Sequence, residues 1–312
     1  MSNRIDDGEG ASALDCPVVD GQRQIQHVRP RVADVGGVRV SRVLPVRHRR
    51  IVGPWCFLDH AVPAHPEDAG GALDVGPHPH TGLQTVTWML EGAVRHRDSL
   101  GNDEIIRPGT LNLMTAGRGI AHAEAAVPGE HRLNAVQLWI ALPEAARHTQ
   151  PRFDQYPDLP RWRTGNVEVT LLAGSFAGLE APTRTFSPLV GVELASPAAD
   201  RLTLPLRETF EHAVFAVTGD LDIDGQAMEP DTLAYLGRGR DQATLSFAAG
   251  SRAILIGGEP NDADFRIWWN FLGSKAEIAE AQRAWEAGDA RFGAVPHAGS
   301  DRLMPPPLPW RG

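Results

Sequence analysis

The stretch that decides the fold runs from residue 76 to residue 124. It opens with Gly-Pro-His-Pro-His-Thr-Gly and closes with Gly-Arg-Gly-Ile-Ala-His-Ala-Glu. Each end carries two candidate metal ligands separated by one residue, His78 and His80 at the first end and His122 and Glu124 at the second. Residues two apart on a β-strand point to the same face of the sheet. If the two pairs lie on strands that meet inside a β-barrel, three imidazoles and one carboxylate converge on one point.

This set of side chains predicts a mononuclear metal site. Three neutral nitrogens and one carboxylate oxygen suit divalent Fe, Mn, Ni, Cu or Zn better than Ca or Mg, which prefer oxygen ligands. On a six-coordinate ion, four protein ligands leave two positions open for dioxygen, water or a chelating substrate. A tetrahedral zinc with the same ligands would be closed and structural. An ion that only stabilises the fold therefore remains an alternative.

Short strand-like runs surround this stretch on both sides. They alternate or are apolar, and Gly, Asn and Pro turns separate them, which is typical of an antiparallel sandwich or barrel and not of a βαβ fold. The clearest runs are residues 38–43, 85–90, 92–96, 111–114, 134–142, 167–172, 190–194, 213–217, 232–236 and 253–256.

One helix is predicted near the end of the chain. Ser274 and Glu277 have the spacing of a capping box. Ile278, Ala281 and Trp285 then fall on one helical face, and Gly288 supplies a stop signal.

These patterns divide the chain into five segments. We expect a flexible N-terminal tail (1–25), an N-terminal domain with the metal site (26–145), a linker (146–165), a C-terminal domain without metal ligands (166–290) and a Pro-rich C-terminal tail (291–312).

An internal repeat supports the two domains. A strand that ends at Gly92 and is followed by Pro108 resembles a strand that ends at Gly219 and is followed by Pro230. Equal offsets from these anchors give the counterparts of His78, His80 and His122, which are Pro205, Arg207 and Thr244. None of these is a metal ligand, so only the first copy is expected to bind a metal.

Composition narrows the class of protein. The 312 residues carry a formal net charge of -9, which argues against a protein that binds nucleic-acid backbones directly. The two cysteines, Cys16 and Cys56, lie in no ligand pattern, which fits a reducing compartment. The N-terminus lacks an apolar signal segment and no run is long enough to span a membrane, so a cytoplasmic protein without membrane contact is expected.

Several motifs resemble those of the pirin family, a branch of the cupins. The longest is His-Pro-His-Thr-Gly-Leu-Gln-Thr-Val-Thr-Trp-Met-Leu-Glu-Gly at 78–92, followed by Arg-Asp-Ser-Leu-Gly-Asn at 97–102 and Met-Thr-Ala-Gly-Arg-Gly-Ile-Ala-His-Ala-Glu at 114–124. Gln-Leu-Trp at 137–139, Gly-Gly-Glu-Pro at 257–260 and Trp-Trp-Asn-Phe at 268–271 also match. The resemblance extends from about residue 30 to the end of the chain.

The resemblance implies an all-β bicupin, with two tandem jelly-roll β-barrels and a short C-terminal helix. The family's ligands correspond to His78, His80, His122 and Glu124, and the metal is usually iron. Some members are similar to quercetin 2,3-dioxygenases, which open the flavonol ring with dioxygen and release carbon monoxide. Others are iron-dependent, redox-sensitive partners of transcription factors or metabolic enzymes.

The prediction is therefore a dioxygenase that acts on quercetin or a related flavonol or enediol. It would use one divalent metal, foremost Fe²⁺ with Ni, Mn, Cu or Zn as alternatives, and Glu124 as ligand and general base. The alternative is a redox-sensing regulator that binds a transcription factor or metabolic enzyme without turnover. Many cupins have Glu where this chain has Gln84, which either hydrogen-bonds a metal-bound water or packs in the barrel.

Overall fold

The computed structural model describes residues 16, 18–19, 21–61, 73–130, 132–261 and 265–310. Most of the predicted N-terminal tail lies outside these ranges. In these ranges no helix is both long and apolar enough to cross a membrane.

Strands account for almost all of the regular structure. Those of the first half are β1 (Val18–Val19), β2 (Gln22–Arg23), β3 (Gln26–Val28), β4 (Arg31–Val35), β5 (Val38–Leu44), β6 (Trp55–Ala61), β7 (Asp74–His80), β8 (Leu83–Gly92), β9 (Val94–Asp98), β10 (Asp103–Ile106), β11 (Leu111–Thr115), β12 (Ile120–Ala126), β13 (Leu133–Ala141) and β14 (Arg152–Tyr156). Those of the second half are β15 (Arg161–Thr164), β16 (Val167–Phe176), β17 (Leu179–Glu180), β18 (Leu189–Ser196), β19 (Asp200–Pro205), β20 (Glu211–Thr218), β21 (Leu221–Ile223), β22 (Gln226–Met228), β23 (Leu233–Gly237), β24 (Gln242–Phe247), β25 (Ser251–Gly258), β26 (Arg266–Trp268) and β27 (Phe271–Gly273). A 3₁₀ turn (Glu144–Ala146) and one α-helix, α1 (Lys275–Glu286), complete the described elements.

Apart from two small pairs, β1-β2 and β26-β27, the strands form two units of two sheets each. The first unit has a four-stranded sheet, β10-β9-β12-β7, and a seven-stranded sheet, β14-β11-β8-β13-β6-β5-β4. The second has a four-stranded sheet, β19-β24-β21-β22, and a larger sheet, β15-β16-β18-β25-β20-β23-β3, to which β17 is joined. The predicted all-β fold with two tandem units and a C-terminal helix is confirmed.

The two large sheets pack against each other along one face. Leu58, Val86 and Leu138 of the first unit share one buried cluster with Phe215 and Ile254 of the second. Because side chains alternate along a strand, the opposite face of each large sheet lines the interior of its own unit. A large apolar cluster fills most of the interior of the second unit.

The predicted segment boundaries cut across the sheets. The predicted linker 146–165 contains β14, which pairs with β11 in the first unit, and β15, which pairs with β16 in the second. Strand β3, predicted for the first unit, pairs with β23 of the second. In each unit, a strand from outside the repeat thus pairs with an edge of the large sheet: β14 pairs with β11 in the first unit, and β3 pairs with β23 in the second.

The internal repeat is confirmed in the backbone. Gly92 and Gly219 both adopt positive φ, 81° and 74°, at the ends of equivalent strands. After the following hairpin, Gly109 has φ 91° and Asp231, at the matching place, has φ 63°.

The strand register corrects the predicted counterparts of the ligands by one residue. His78 pairs with His122 in the first unit, and at the matching place Leu204 pairs with Ala243 in the second. The predicted counterparts Pro205, Arg207 and Thr244 were therefore wrong, because the loops of the two copies differ in length. A one-residue shift turns a strand residue to the other face.

The corrected register places apolar side chains at the second-unit positions that match the candidate ligands. His96 pairs with Glu124 in the first unit, and Ile223 pairs with Leu245 at the same place in the second. The counterparts are all apolar: Leu204, Ile223, Ala243 and Leu245 are buried, and Leu206, at the place of His80, is half-buried. The space that holds ligand side chains in the first unit is filled with hydrocarbon in the second.

The predicted helix is also confirmed. The Glu277 N–H donates to Ser274 Oγ at 3.3 Å, and the Ser274 N–H donates to Glu277 Oε2 at 2.6 Å, which is a complete capping box. Ile278, Ala281 and Trp285 are buried as expected, and the following Gly288 has φ 74°.

The C-terminal tail returns to the first unit. The Leu303 N–H donates to the Pro77 carbonyl at 2.9 Å. This bond joins the tail to β7, the strand that carries His78 and His80. The Trp285 indole N–H donates to the Leu303 carbonyl at 2.8 Å, which ties the tail to α1. Leu303 and Met304 of the tail therefore lie beside the predicted metal ligands.

Candidate metal centre

The four predicted ligands lie on two adjacent antiparallel strands of the small sheet. His78 and His80 are on β7, and His122 and Glu124 are on β12, with His122 directly opposite His78. The register shifts between His122 and Glu124, because β7 has one extra residue there. All four side chains face the interior of the first unit, where they line one cavity.

The three predicted histidines form one tight group. Their ring centroids are 5.1 Å apart for His78 and His80, 4.3 Å for His78 and His122, and 5.0 Å for His80 and His122. The Nε2 atoms of His80 and His122 are 3.1 Å apart. One ring nitrogen from each of the three lies within 4.8 Å of the others, close enough to hold one ion.

Glu124 belongs to a second, overlapping group. Its carboxylate lies within 4.8 Å of ligand atoms of His96 and His122, and His122 is common to both groups. His96 is on β9, directly opposite Glu124. Glu124 therefore shares His122 with the group of three histidines and lines the same cavity as they do.

His96 is the residue that the sequence prediction missed. Its Nδ1 lies 3.3 Å from His122 Nδ1, and its Nε2 lies 3.3 Å from Asp98 Oδ2. The His96 ring also stacks on Phe153, with centroids 4.3 Å apart. A signal existed, because His96 and Asp98 have the same one-residue spacing as the other two pairs.

Asp98 is held from the other side by a tight turn. Its carboxylate accepts the Leu100 N–H at 2.9 Å, the Asn102 N–H at 3.1 Å and the Asn102 side-chain amide at 2.8 Å. A buried line of contacts thus runs from this turn through His96 to His122.

Burial sets the protonation of the site. It lowers the pKa of His78 to about 4 and holds the pKa values of His80 and His122 well below the usual range of histidine. All three imidazoles are therefore neutral near pH 7. Burial raises the pKa of Glu124, and the nearby His96 opposes this shift.

These donors fit a divalent transition metal. The Gly76 carbonyl lies 3.0 Å from His78 Nδ1 and accepts a hydrogen bond from its N–H. The lone pair of His78 Nε2 is then available to bind a metal. The Nε2 atoms of His80 and His122 face each other, and neutral imidazole lone pairs in that arrangement are satisfied by a cation. Neutral nitrogen donors with one carboxylate nearby match the preferences of Fe, Mn, Ni, Cu and Zn.

The group opens into a cavity of about 270 Å³. The large sheet forms its wall, on which Phe57 and Trp139 stack with centroids 4.0 Å apart and planes inclined by 12°. Trp139 meets His80 edge-on at 5.1 Å. The far C-terminal part of the chain covers the cavity with Trp269, Asn270, Leu303 and Met304.

Gln84 takes no part in this site. Its neighbour Thr85 lines the cavity, so the alternation of the strand turns Gln84 to the opposite face. The Gln84 amide donates to Thr115 Oγ1 at 2.9 Å and to the Arg184 carbonyl of the second unit at 3.0 Å. Both roles considered for Gln84, binding a metal-bound water and packing inside the barrel, are therefore wrong, and the side chain joins the two units instead.

Comparison with known proteins supports the organisation of the chain. The family model described as Pirin matches residues 37–140, and the one described as Pirin C-terminal cupin domain matches residues 191–293. A Pseudomonas aeruginosa protein named "Putative quercetin 2,3-dioxygenase" is 51% identical over 100% of this chain and 99% of its own length. A pirin-like protein of Caulobacter vibrioides is 36% identical over 86% of this chain and 94% of its own.

A solved structure shows the same fold in detail. The crystal structure of a quercetin 2,3-dioxygenase from Acinetobacter baumannii is 41% identical in sequence and superposes with a TM-score of 0.88. The match covers 92% of this chain and 97% of that one.

Proposed function

This chain belongs to the pirin family, and on that premise we propose that it is a metal-dependent dioxygenase acting on quercetin or a related flavonol. The proposed cofactor is a single metal ion, with iron(II) as the first candidate. His78, His80 and His122 would hold it, with Glu124 beside them. The names of the relatives from Pseudomonas and Acinetobacter point to the same class of reaction.

One observation carries the proposal. The three buried imidazoles open into a cavity whose wall is a pair of stacked aromatic rings, Phe57 and Trp139. A purely structural ion needs no such cavity, whereas an aromatic substrate needs both an apolar wall and access to the ion. The edge-on contact of Trp139 with His80 places that wall next to the ligands.

Each group of the chain then has a stated part in the reaction. The ion, when bound, supplies Lewis acidity to the 3-hydroxyl and 4-carbonyl oxygens of a flavonol and a place for dioxygen. Glu124 accepts the proton of the 3-hydroxyl, and its raised pKa brings its basicity closer to that of the hydroxyl. Phe57 and Trp139 orient the rings, and Met304 with its neighbours keeps water out.

The position of Glu124 favours the role of base over that of permanent ligand. Its carboxylate groups with His96 and His122, so it lies beside the three-histidine group and not within it. A carboxylate in that place reaches a substrate hydroxyl without leaving the ion short of its three nitrogens.

The test is anaerobic reconstitution with Fe²⁺, followed by addition of quercetin and oxygen. Carbon monoxide release and loss of the flavonol absorbance at full metal occupancy are expected. Absence of turnover above that of free iron, with Ni, Mn, Cu and Zn tried as well, would overturn the proposal.

His122 is the ligand whose loss tests the site itself, because it belongs to both groups. We expect His122→Ala to lose stoichiometric metal, and the exposed His27→Ala to keep it as the matched control. Normal iron content of the His122 variant, measured by elemental analysis, would show that the ion binds elsewhere.

A further inference from the structure

A row of polar side chains crosses the large sheet of the first unit, within the cavity wall. Five adjacent strands, β11, β8, β13, β6 and β5, each place one residue directly opposite the next. We call these five residues the polar row: Asn112, Thr87, Gln137, Asp59 and Arg42. All but Asn112 line the cavity.

The polar row is joined by hydrogen bonds. The Thr87 hydroxyl donates to Gln137 Oε1 at 2.9 Å, so the Gln137 amino group is left as a donor. Arg42 holds Asp59 in a two-bond clasp, with Nε donating to Oδ1 at 2.7 Å and Nη2 to Oδ2 at 2.6 Å. The charged pair is almost fully buried, at 2% exposure for Arg42 and 4% for Asp59.

The second unit supplies an internal comparison. Its equivalent strands, in the same order and register, place Ala234, Val214, Leu255, Val192 and Leu171 opposite one another. All five are fully buried in its apolar core. The same sheet geometry is therefore built without a single polar side chain where the first unit has five.

This contrast argues against a structural role for the polar row. A buried ion pair stabilises a fold little or not at all relative to apolar residues of similar volume, because both charges lose their hydration. Burial indeed raises the pKa of Asp59 despite the Arg42 guanidinium. Since the second unit shows that apolar residues suit these positions, the row is best explained by what enters the cavity.

The polar row is at the right depth for the remote end of a substrate. The next inward-facing residues along the same strands toward the candidate metal centre are Thr85, Trp139 and Phe57, and the two stacked aromatic rings form an apolar wall of the cavity. Two residues of a strand span about 7 Å. The Arg42 guanidinium carbon lies 4.7 Å from the centre of the Phe57 ring, so the row borders the aromatic wall on the side away from His80.

A second arginine lies beside the polar row. Arg31 lies opposite Arg42 on the next strand, so two guanidinium groups accompany one carboxylate. Arg31 Nε and Nη2 are buried and have no hydrogen-bond partner among the residues that the structure describes. Within the cavity itself, a ligand with hydroxyl groups would meet the Gln137 amino group as donor and the Asp59 carboxylate as acceptor.

We propose that Arg42, Asp59 and Gln137 are the specificity-determining residues that recognise hydroxyl groups on the outer ring of a polyhydroxylated planar aromatic substrate. The inference rests on the proposed function, which places the other end of the substrate at the metal centre. A ring hydroxyl donates to the Asp59 carboxylate and accepts from the Gln137 amino group. Substrates with bare outer rings leave the buried pair without these bonds and bind more weakly.

The test compares two flavonols on oxygen-free, metal-reconstituted protein. 3-Hydroxyflavone has the chelating oxygens and no other hydroxyl, whereas quercetin adds hydroxyls on both outer rings. We expect the wild-type protein to bind quercetin about tenfold or more tightly than 3-hydroxyflavone, the effect of a hydrogen bond to a charged group. The dissociation constants are measured by quenching of tryptophan fluorescence.

The deciding variant replaces Arg42 and Asp59 with the residue types that the second unit has at the same places, Leu171 and Val192. In the double variant Arg42→Leu and Asp59→Val, the ratio of the two dissociation constants should fall to about one, with metal content retained. The matched control is Arg95→Leu with Asp103→Val, which removes an Arg–Asp clasp of the same geometry from the exposed surface. That control should keep the wild-type ratio.

Two outcomes overturn the inference, and they can be told apart. If the wild-type protein binds and oxidises flavonols but the Arg42/Asp59 variant keeps the wild-type ratio, the inference is wrong and the proposed function stands. If the wild-type protein neither binds nor oxidises any flavonol, the proposed function fails and the inference with it. Should the double variant not fold, Gln137→Leu decides in the same way, since Leu255 occupies that place in the second unit.

Discussion

At the scale of single residues, the proposed metal centre depends on how His122 is held. The Nε2 atom of His122 contacts His80, and its Nδ1 atom contacts His96. The Nε2 atom of His96 in turn contacts the Asp98 carboxylate, and the His96 ring stacks on Phe153. A partner at the second nitrogen of a ligand histidine fixes the tautomer and the ring orientation.

We therefore expect His96→Ala to weaken metal binding by about 10–100-fold without abolishing it. Competition with a chelator of known affinity measures the change. The conservative variant His96→Gln, which keeps a hydrogen-bonding group, should recover part of the loss. Complete loss of metal would instead identify His96 as a ligand in its own right.

His212 is a buried histidine of the second unit, at the place that Thr85 has in the first. Burial lowers its pKa to about 4. The unfolded chain takes up a proton as the pH falls through about 6.5, whereas the folded protein does so only near 4. Neutral His212 therefore leaves the free energy of unfolding at its full value above pH 6.5. As the pH falls from 6.5 toward 4, protonation of the unfolded chain lowers the free energy of unfolding progressively.

We expect His212→Thr to remove part of this acid sensitivity. The free energy of unfolding of the wild-type protein should fall by up to about 3 kcal/mol more than that of the variant between pH 7 and pH 4. Urea titrations at each pH, on metal-free protein, measure the difference. Equal pH dependence of the two proteins would show that His212 is not the group responsible.

At the scale of elements, the capping box of α1 secures more than the helix. α1 begins with the reciprocal bonds of Ser274 and Glu277, and Trp285 in its last turn holds the carbonyl of Leu303. Leu303 in turn lines the cavity. The start of the helix is thus linked to the cover of the metal pocket.

We expect Ser274→Ala to lower the free energy of unfolding by about 1 kcal/mol, the usual effect of losing an N-cap. Ser274→Asp, which keeps an acceptor at the cap, should retain most of the stability. Chemical denaturation followed by circular dichroism compares the three proteins. An unchanged midpoint for the alanine variant would contradict the role of the cap.

The strands show where sequence patterns lose information. The alternation of each strand was visible in the sequence, but the pairing of one strand with another was not. Equal offsets placed the second-unit counterparts one residue away from their true positions, which put them on the wrong face. Pairing register depends on the packing of distant segments, so counting along the chain cannot determine it.

At the scale of the whole molecule, the two units are joined through closely packed backbone. Gly53 of the first unit has φ 53°, and a Cβ added to it would lie 2.8 Å from the Cα of Gly258 in the second. The Gly53 N–H donates to the buried Glu211 carboxylate at 2.6 Å, and the Tyr235 hydroxyl donates to the same carboxylate at 2.8 Å. No side chain fits at Gly53 without separating the units.

We expect Gly53→Ala to lower the free energy of unfolding by about 2–4 kcal/mol, from overpacking together with the positive φ. Gly101→Ala is the matched control, because Gly101 has φ 92° and nothing lies within 4 Å of its added Cβ. Thermal denaturation of the two variants separates the clash from the backbone cost. Equal losses in both would show that the contact between the units contributes nothing.

The sequence by itself determined the all-β repeat, the single helix and the histidines that gather in the first unit. These features depend on local spacing, which strand alternation and the capping box convert directly into geometry. Only the tertiary structure decided that His96 and Asp98 stand behind His122, that Gln84 faces the second unit, and that Arg42 meets Asp59 in the cavity wall. Those contacts join strands far apart in the chain, and the register that aligns them is set by how the sheets pack.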